Sequence, residues 1–171
     1  MANFKVVGLG VQIISRDPQD VLVAYGLGSC LGIGMYDPAA RIAGLLHAVL
    51  PEQSDTDRIT PQKFVNSGVT SLIDGMVRAG ADRRKLIVWM AGGANMIFSA
   101  STFKAFDIGS RNIQAAFKVF NSLNLHLSGQ EVGGNSGRTV RLYVAEGRMT
   151  VRKIGDEEHT ITINHYEKQV T

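Results

Sequence analysis

The sequence is poor in cysteine, proline and tryptophan, with one Cys, four Pro and one Trp in 171 residues. A single cysteine cannot close an intramolecular disulfide, and cannot by itself build a structural zinc site. No apolar run approaches the ~20 residues that span a bilayer, so no membrane insertion is expected. The opening MANFKVVGLG carries no basic stretch followed by a long apolar one, so no secretory leader is expected. With a lone thiol, these absences point to a reducing, cytoplasmic setting. Charge of either sign is also modest. The net charge of +3 and pI near 9.2 suit an acidic partner but are too small to indicate nucleic acid. The basic groups Arg83-Arg84-Lys85 and Arg148 to Lys153 have no interleaved aromatics and read as solvated surface. No Gly-Lys-Ser/Thr occurs, and the loose pattern Gly26-x-Gly28-x-x-x-Gly32 leads into a strand instead of a helix, which argues against a phosphate loop.

What is present is an ordinary globular composition, 44% hydrophobic and 19% charged. The length predicts one domain, residues 1–171, able to bury roughly two-thirds of its unfolded surface. Phe4 to Val7, Val11 to Ile14, Val21 to Tyr25, Leu31 to Tyr36 and Ile42 to Leu50 read as strands between Gly, Pro, Asp and Ser. A helix follows, with Thr60 as cap, Pro61 in the first position, apolar residues from Phe64 to Val77 at helical spacing, and Gly80 as its stop. Lys85 to Gly93 reads as a central strand and Ser110 to Leu123 as a second amphipathic helix. Leu125 to Leu127, Thr139 to Ala145, Met149 to Ile154 and Thr160 to Ile163 complete about nine strands, an α+β protein with helices packed on sheet.

The lone Cys30 sits at a bend, between Gly28-Ser29 and Gly32. A thiol there gains little from packing but is well placed to attack a substrate, provided a base is near. Backbone N–H groups of Ser29 and Cys30 are candidates for holding a developing oxyanion. Of four histidines, His47 stands out inside the apolar run IAGLLHAVLP. A hairpin turning at Asp37-Pro38-Ala39-Ala40 brings Cys30 and His47 to the same end of a strand pair. His47 therefore has two readings, a core histidine with its hydrogen bonds met or the base for Cys30. Gly92-Gly93 and Gly133-Gly134 read as turns or close approaches, Asn95, Asn112 and Asn135 as turn-fixing residues, and Arg111 and Arg138 as surface arginines.

With these residues in place, the chain resembles the CheD family of chemoreceptor glutamine deamidases. The segment GLGSCLGIGMYDPAARIAGLLHAVLP, 26 to 51, carries the cysteine and histidine. AGGANMI at 91 to 97, IGSRNI at 108 to 113 and GGNSGRTV at 133 to 140 match further family blocks in order. The resemblance implies an α/β/β sandwich of two packed, mostly antiparallel sheets with two main helices on one side. It implies hydrolysis of glutamine side-chain amides, and in some cases of glutamyl methyl esters, on the cytoplasmic domains of chemoreceptors. Cys30 and His47 are the implied catalytic pair, Ser29 and Gly28 the supporting loop, and no metal or organic cofactor is implied. A CheC-type phosphatase is the implied regulatory partner. One departure stands out. The family usually carries a threonine six residues before the cysteine, and here that residue is Ala24. Without its hydroxyl the imidazole loses an orienting group, which allows the alternative of a catalytically weakened or inactive binding module that regulates the phosphatase.

Overall fold

The computed structural model describes residues 1–54, 60–96 and 107–164. Among these residues, short apolar runs between turn residues form ten strands: β1 Asn3–Val6, β2 Gln12–Ser15, β3 Asp20–Leu27, β4 Leu31–Asp37, β5 Ile42–Ala48, β6 Ile87–Gly92, β7 Gly129–Val132, β8 Arg138–Tyr143, β9 Arg148–Lys153 and β10 His159–Thr160. Two main helices join them, α1 Val65–Arg78 and α2 Ile108–Ser122. One sheet runs β1-β3-β8-β9-β10 and the other β2-β5-β4-β6-β7. Each contains one parallel pair, β1 with β3 and β6 with β7, and the other pairings are antiparallel. This is the α+β sandwich expected, with helix, sheet and sheet as its layers.

The central layer explains its own sequence. Every residue of β4 and β5 is buried, because helices cover one face and the second sheet covers the other. Strands buried on both sides lose the apolar–polar alternation of a half-exposed sheet. Leu31, Ile33, Met35, Ile42 and Leu46 pack with Val69, Leu72 and Met76 of α1 and Phe120 of α2. Ala43, Leu45 and Trp89 face Leu22, Val140, Leu142 and Met149 across the gap between sheets. The glycines of β4 set that gap: a Cβ on Gly34 would stand 2.6 Å from Met149 Sδ, and one on Gly32 would stand 3.0 Å from Leu27 Cδ1. Removing a fully buried leucine such as Leu72 from such a core costs about 2–5 kcal/mol.

Several boundaries differ from the sequence reading. Thr60 makes no capping bond: residues 61–63 form a single 3-10 turn, and α1 begins at Val65. The cause is the end of β5, since Lys63 O accepts from Val49 N and Leu50 N while Val65 N donates to Leu50 O, which pulls the chain out of helix before it restarts. The second helix starts earlier than Ser110, at Ile108, because the Asp107 side chain accepts from Ser110 N and caps it. Leu125 and Leu127 pack on the helix-side core without joining a ladder, which begins only at Gly129. Of the alternating segment 160–163, only Thr160 belongs to a strand.

The β4–β5 turn is fixed by Asp37, which is 1% exposed. One carboxylate oxygen accepts from Ala39 N and Ala40 N at 2.8 and 3.1 Å, and the other accepts from Asp82 N at 2.7 Å. Burial pushes this carboxyl up, but the N–H groups of Asp82, Ala40 and Ala39 outweigh it and hold it below the usual range.

Candidate active site

Three segments converge at the other end of the same hairpin: the β3–β4 loop with Cys30, the end of β5 with His47, and the β1–β2 loop. The loop bends because Gly26, at φ +65°, shifts the β3–β8 register between Ala24 and Leu27. In the β4–β5 ladder Leu31 pairs with Ala48 and Gly32 pairs with His47. Cys30 stands one residue beyond this ladder, at the same end of the strand pair as His47. His47 lies on the face turned toward the second sheet, the one it shares with Ala43 and Leu45 of β5, and Cys30 packs against the core between the sheets.

His47 is 2% exposed. The β1–β2 loop is laced to its backbone, with His47 N donating to Val11 O at 3.0 Å and Gly10 N donating to His47 O at 2.9 Å. Its Nδ1 lies 3.0 Å from Val7 O. A carbonyl can only accept, so Nδ1 carries the proton and Nε2 presents a lone pair. Nε2 is buried without a hydrogen-bond partner among the described residues. Burial pushes the imidazole pKa below its usual value, against the bond to Val7, so the ring is a neutral base at neutral pH.

Cys30 is half-buried, and burial pushes its thiol up while its own backbone N–H works the other way. A stored thiolate is therefore not favoured here, and attack requires a base that removes the proton as the sulfur engages.

The loop's carbonyls are all engaged. Gly28 O accepts from Ala94 N at 2.8 Å, Ser29 O accepts from Asn112 Nδ2 at 2.8 Å, and Cys30 O accepts from Gly93 N at 2.9 Å. No peptide bond among the described residues is cis, and in a trans peptide the C=O and N–H point opposite ways. The N–H groups of Ser29 and Cys30 are thereby turned away from Ala94 and Asn112. Gly92, at φ +111°, makes the close approach possible, since a Cβ there would stand 2.2 Å from Cys30 O. Gly93, Gly133 and Gly134 also hold positive φ, as turn positions should.

Ala24 is fully buried opposite Val140 and contributes no polar group. The orienting acceptor comes from its neighbour instead. Val7 N donates to Val23 O, so the chain beyond β1 continues alongside β3, and its next carbonyl holds the imidazole. Arg138 corrects the surface reading: it is 3% exposed, donating from Nη1 to Gly92 O at 2.9 Å and from Nη2 to Gly133 O at 2.7 Å. Its guanidinium ties the ends of β6 and β7 together, a need that arises only once those strands are parallel neighbours. Arg111 is exposed as expected. Among the described residues no group of three or more His, Cys, Asp or Glu side chains could hold a metal, and no helix is long and apolar enough to cross a membrane.

Comparison with known proteins adds a family. The family model described as CheD, chemotactic sensory transduction, matches residues 49–153, more than half of the chain. That segment begins just after His47, so Cys30 and His47 lie outside it. A probable chemoreceptor glutamine deamidase CheD of Symbiobacterium thermophilum is 38% identical over 93% of this chain and 98% of its own length. Proteins of the same description from Caldanaerobacter subterraneus and Methanococcus vannielii are 38% and 40% identical, over 87% and 79% of this chain and 92% and 86% of their own lengths.

Proposed function

The chain belongs to the CheD family, and on that premise we propose that it hydrolyses glutamine side-chain amides of chemoreceptors, with Cys30 as nucleophile and His47 as base. The observation that carries this reading is the tautomer of His47: Val7 O fixes the proton on Nδ1, leaving the buried Nε2 as an acceptor at the end of the strand pair where Cys30 stands. Nε2 takes the thiol proton as Sγ attacks the carboxamide carbon, giving a tetrahedral oxyanion and an imidazolium. The N–H groups of Ser29 and Cys30 receive the oxyanion, and Gly28, without a Cβ, keeps room between the loop and the Met96 side chain. The imidazolium returns its proton to the departing nitrogen, which leaves as ammonia, and the acyl group remains on sulfur as a thioester. Water, deprotonated by the same Nε2, then cleaves the thioester to glutamate and free thiol. A glutamyl methyl ester enters the same path with methanol as leaving group. Every step is acyl transfer, for which the chain's own groups suffice.

Ala24 supports a second reading, a binding module that regulates a CheC-type phosphatase without turnover. The bond from Nδ1 to Val7 O favours the enzyme, because the ring keeps an orienting partner without the threonine. The deciding experiment is incubation with a chemoreceptor cytoplasmic fragment followed by peptide mass analysis. A gain of roughly one dalton at specific glutamines, lost in Cys30→Ala, is expected. No gain with the wild type, together with tight binding to a CheC-type protein, would establish the binding module.

A further inference from the structure

We propose that Asn112 of α2 is a positioning residue, whose single amide pins both halves of the Cys30–His47 arrangement and sets their spacing. The inference rests on the Cys–His reading above. Asn112 is fully buried, and its Nδ2 donates to Ser29 O at 2.8 Å and to Val49 O at 3.0 Å. Ser29 immediately precedes the nucleophile, and Val49 lies two residues beyond His47 on the other strand.

These two carbonyls sit where the β4–β5 ladder stops, one step past the last registered pair, Leu31 with Ala48. Both are acceptors, so neither can bond the other, and a ladder at this point would fray. One NH2 group offers two donors and joins them. Its orientation is unambiguous, because carbonyls on both sides demand the nitrogen, and Oδ1 has no partner among the described residues. The residue is thus fully buried and held by its donor end.

The helix that delivers it is firmly seated. A Cβ on Gly109 would stand 2.4 Å from Ala94 O, and one on Gly93 would stand 2.6 Å from Ile113 Cγ1. The first turns of α2 therefore rest on the Gly93–Ala94 segment, whose N–H groups hold Cys30 O and Gly28 O. Of the three consecutive carbonyls at 28, 29 and 30, only the middle one depends on a side chain.

The test uses the full chain with Asn112→Leu, similar in size but without donors, and Asn112→Asp, similar in shape but bearing acceptors. Deamidation of a receptor fragment gives kcat and KM, and iodoacetamide alkylation of Cys30 across pH reports on the pair directly. A folded Asn112→Leu protein is expected to lose about 100-fold in kcat with KM within threefold, the size of effect a small misplacement of reacting groups produces. Its alkylation profile should resemble that of His47→Gln, and the double variant should alkylate no more slowly than His47→Gln alone. Should Asn112→Leu fail to fold, Asn112→Asp is judged by the same measures. Wild-type kcat in a folded Asn112 variant, or alkylation losses that multiply in the His47→Gln background, would overturn the positioning role, as would the failure of both variants to fold. A Cys30→Ala protein that still deamidates would sink the Cys–His reading itself, and this inference with it.

Discussion

The two ends of the β4–β5 hairpin solve their hydrogen bonding in opposite ways. At the Asp37 end, backbone donors from Ala39, Ala40 and Asp82 are absorbed by a single buried carboxylate. At the Cys30 end it is the acceptors that are absorbed: three successive carbonyls are occupied, while His47 Nε2 keeps a lone pair without a partner. The first end is a closed account of backbone polarity and holds shape. The second leaves His47 Nε2 without a partner among the described residues and turns the N–H groups of Ser29 and Cys30 away from the occupied carbonyls, which on the proposed reading is what a reacting carbonyl needs. On the proposed reading, the same two strands carry stability at one end and chemistry at the other.

The contrast is broken most severely at the sulfur. Cys30→Ala is expected to lower deamidation by about 10⁴-fold, as loss of a nucleophile does, while stability stays within about 1 kcal/mol. A drop in melting temperature that accounted for the lost activity would erase the division between the ends. Asp37→Ala is the mirror experiment. It strands three backbone donors and should cost about 2–3 kcal/mol in urea unfolding, with kcat within about threefold of wild type.

The two ends also answer differently to acid. The Asp37 carboxyl is held below its usual range, so its contribution is complete above the ordinary ~3.9 and is lost as pH falls through its folded value. The His47 ring is pushed below ~6.5 and must be neutral to act, so kcat/KM should rise about tenfold per pH unit and level off below the usual histidine value. A rising limb centred above ~6.5 would mean that the ring is not held below its usual value, and activity that falls with rising pH there would mean that an imidazolium is the active form. The finest probe is Ala24→Thr. Because Val7 O already orients the ring, the added hydroxyl should change kcat by less than about threefold, and a tenfold gain would show that the carbonyl is a poor substitute.

What was legible in the sequence was local. The turn at 37–40 and the strands leading into and out of it sufficed to bring Cys30 and His47 to one end, because a hairpin's register follows from its turn. Paired glycines at 92–93 and 133–134 announced positive φ without saying what they approached. The acceptor for His47 was illegible for a physical reason: a backbone carbonyl has no residue type, so nothing in the letters at Val7 marks its role. Asn112 and Arg138 were visible only as polar residues in glycine-rich or helical blocks. Their partners, Ser29 and Val49 for one, Gly92 and Gly133 for the other, are mostly far along the chain and meet them only after the sheets form. Thr60 misled because its local capping signal was real, but Lys63 and Leu50 drew the chain into a bridge instead.

The clamp on Ser29 also fixes a moment in the protein's synthesis. Residues 30 and 47 leave the ribosome early, yet the amide that holds Ser29 arrives at position 112 and the guanidinium behind Gly92 at position 138. A nascent chain halted before α2 owns the thiol and the ring but not the brace between their strands, so the loop takes its final shape only after α2 has been made.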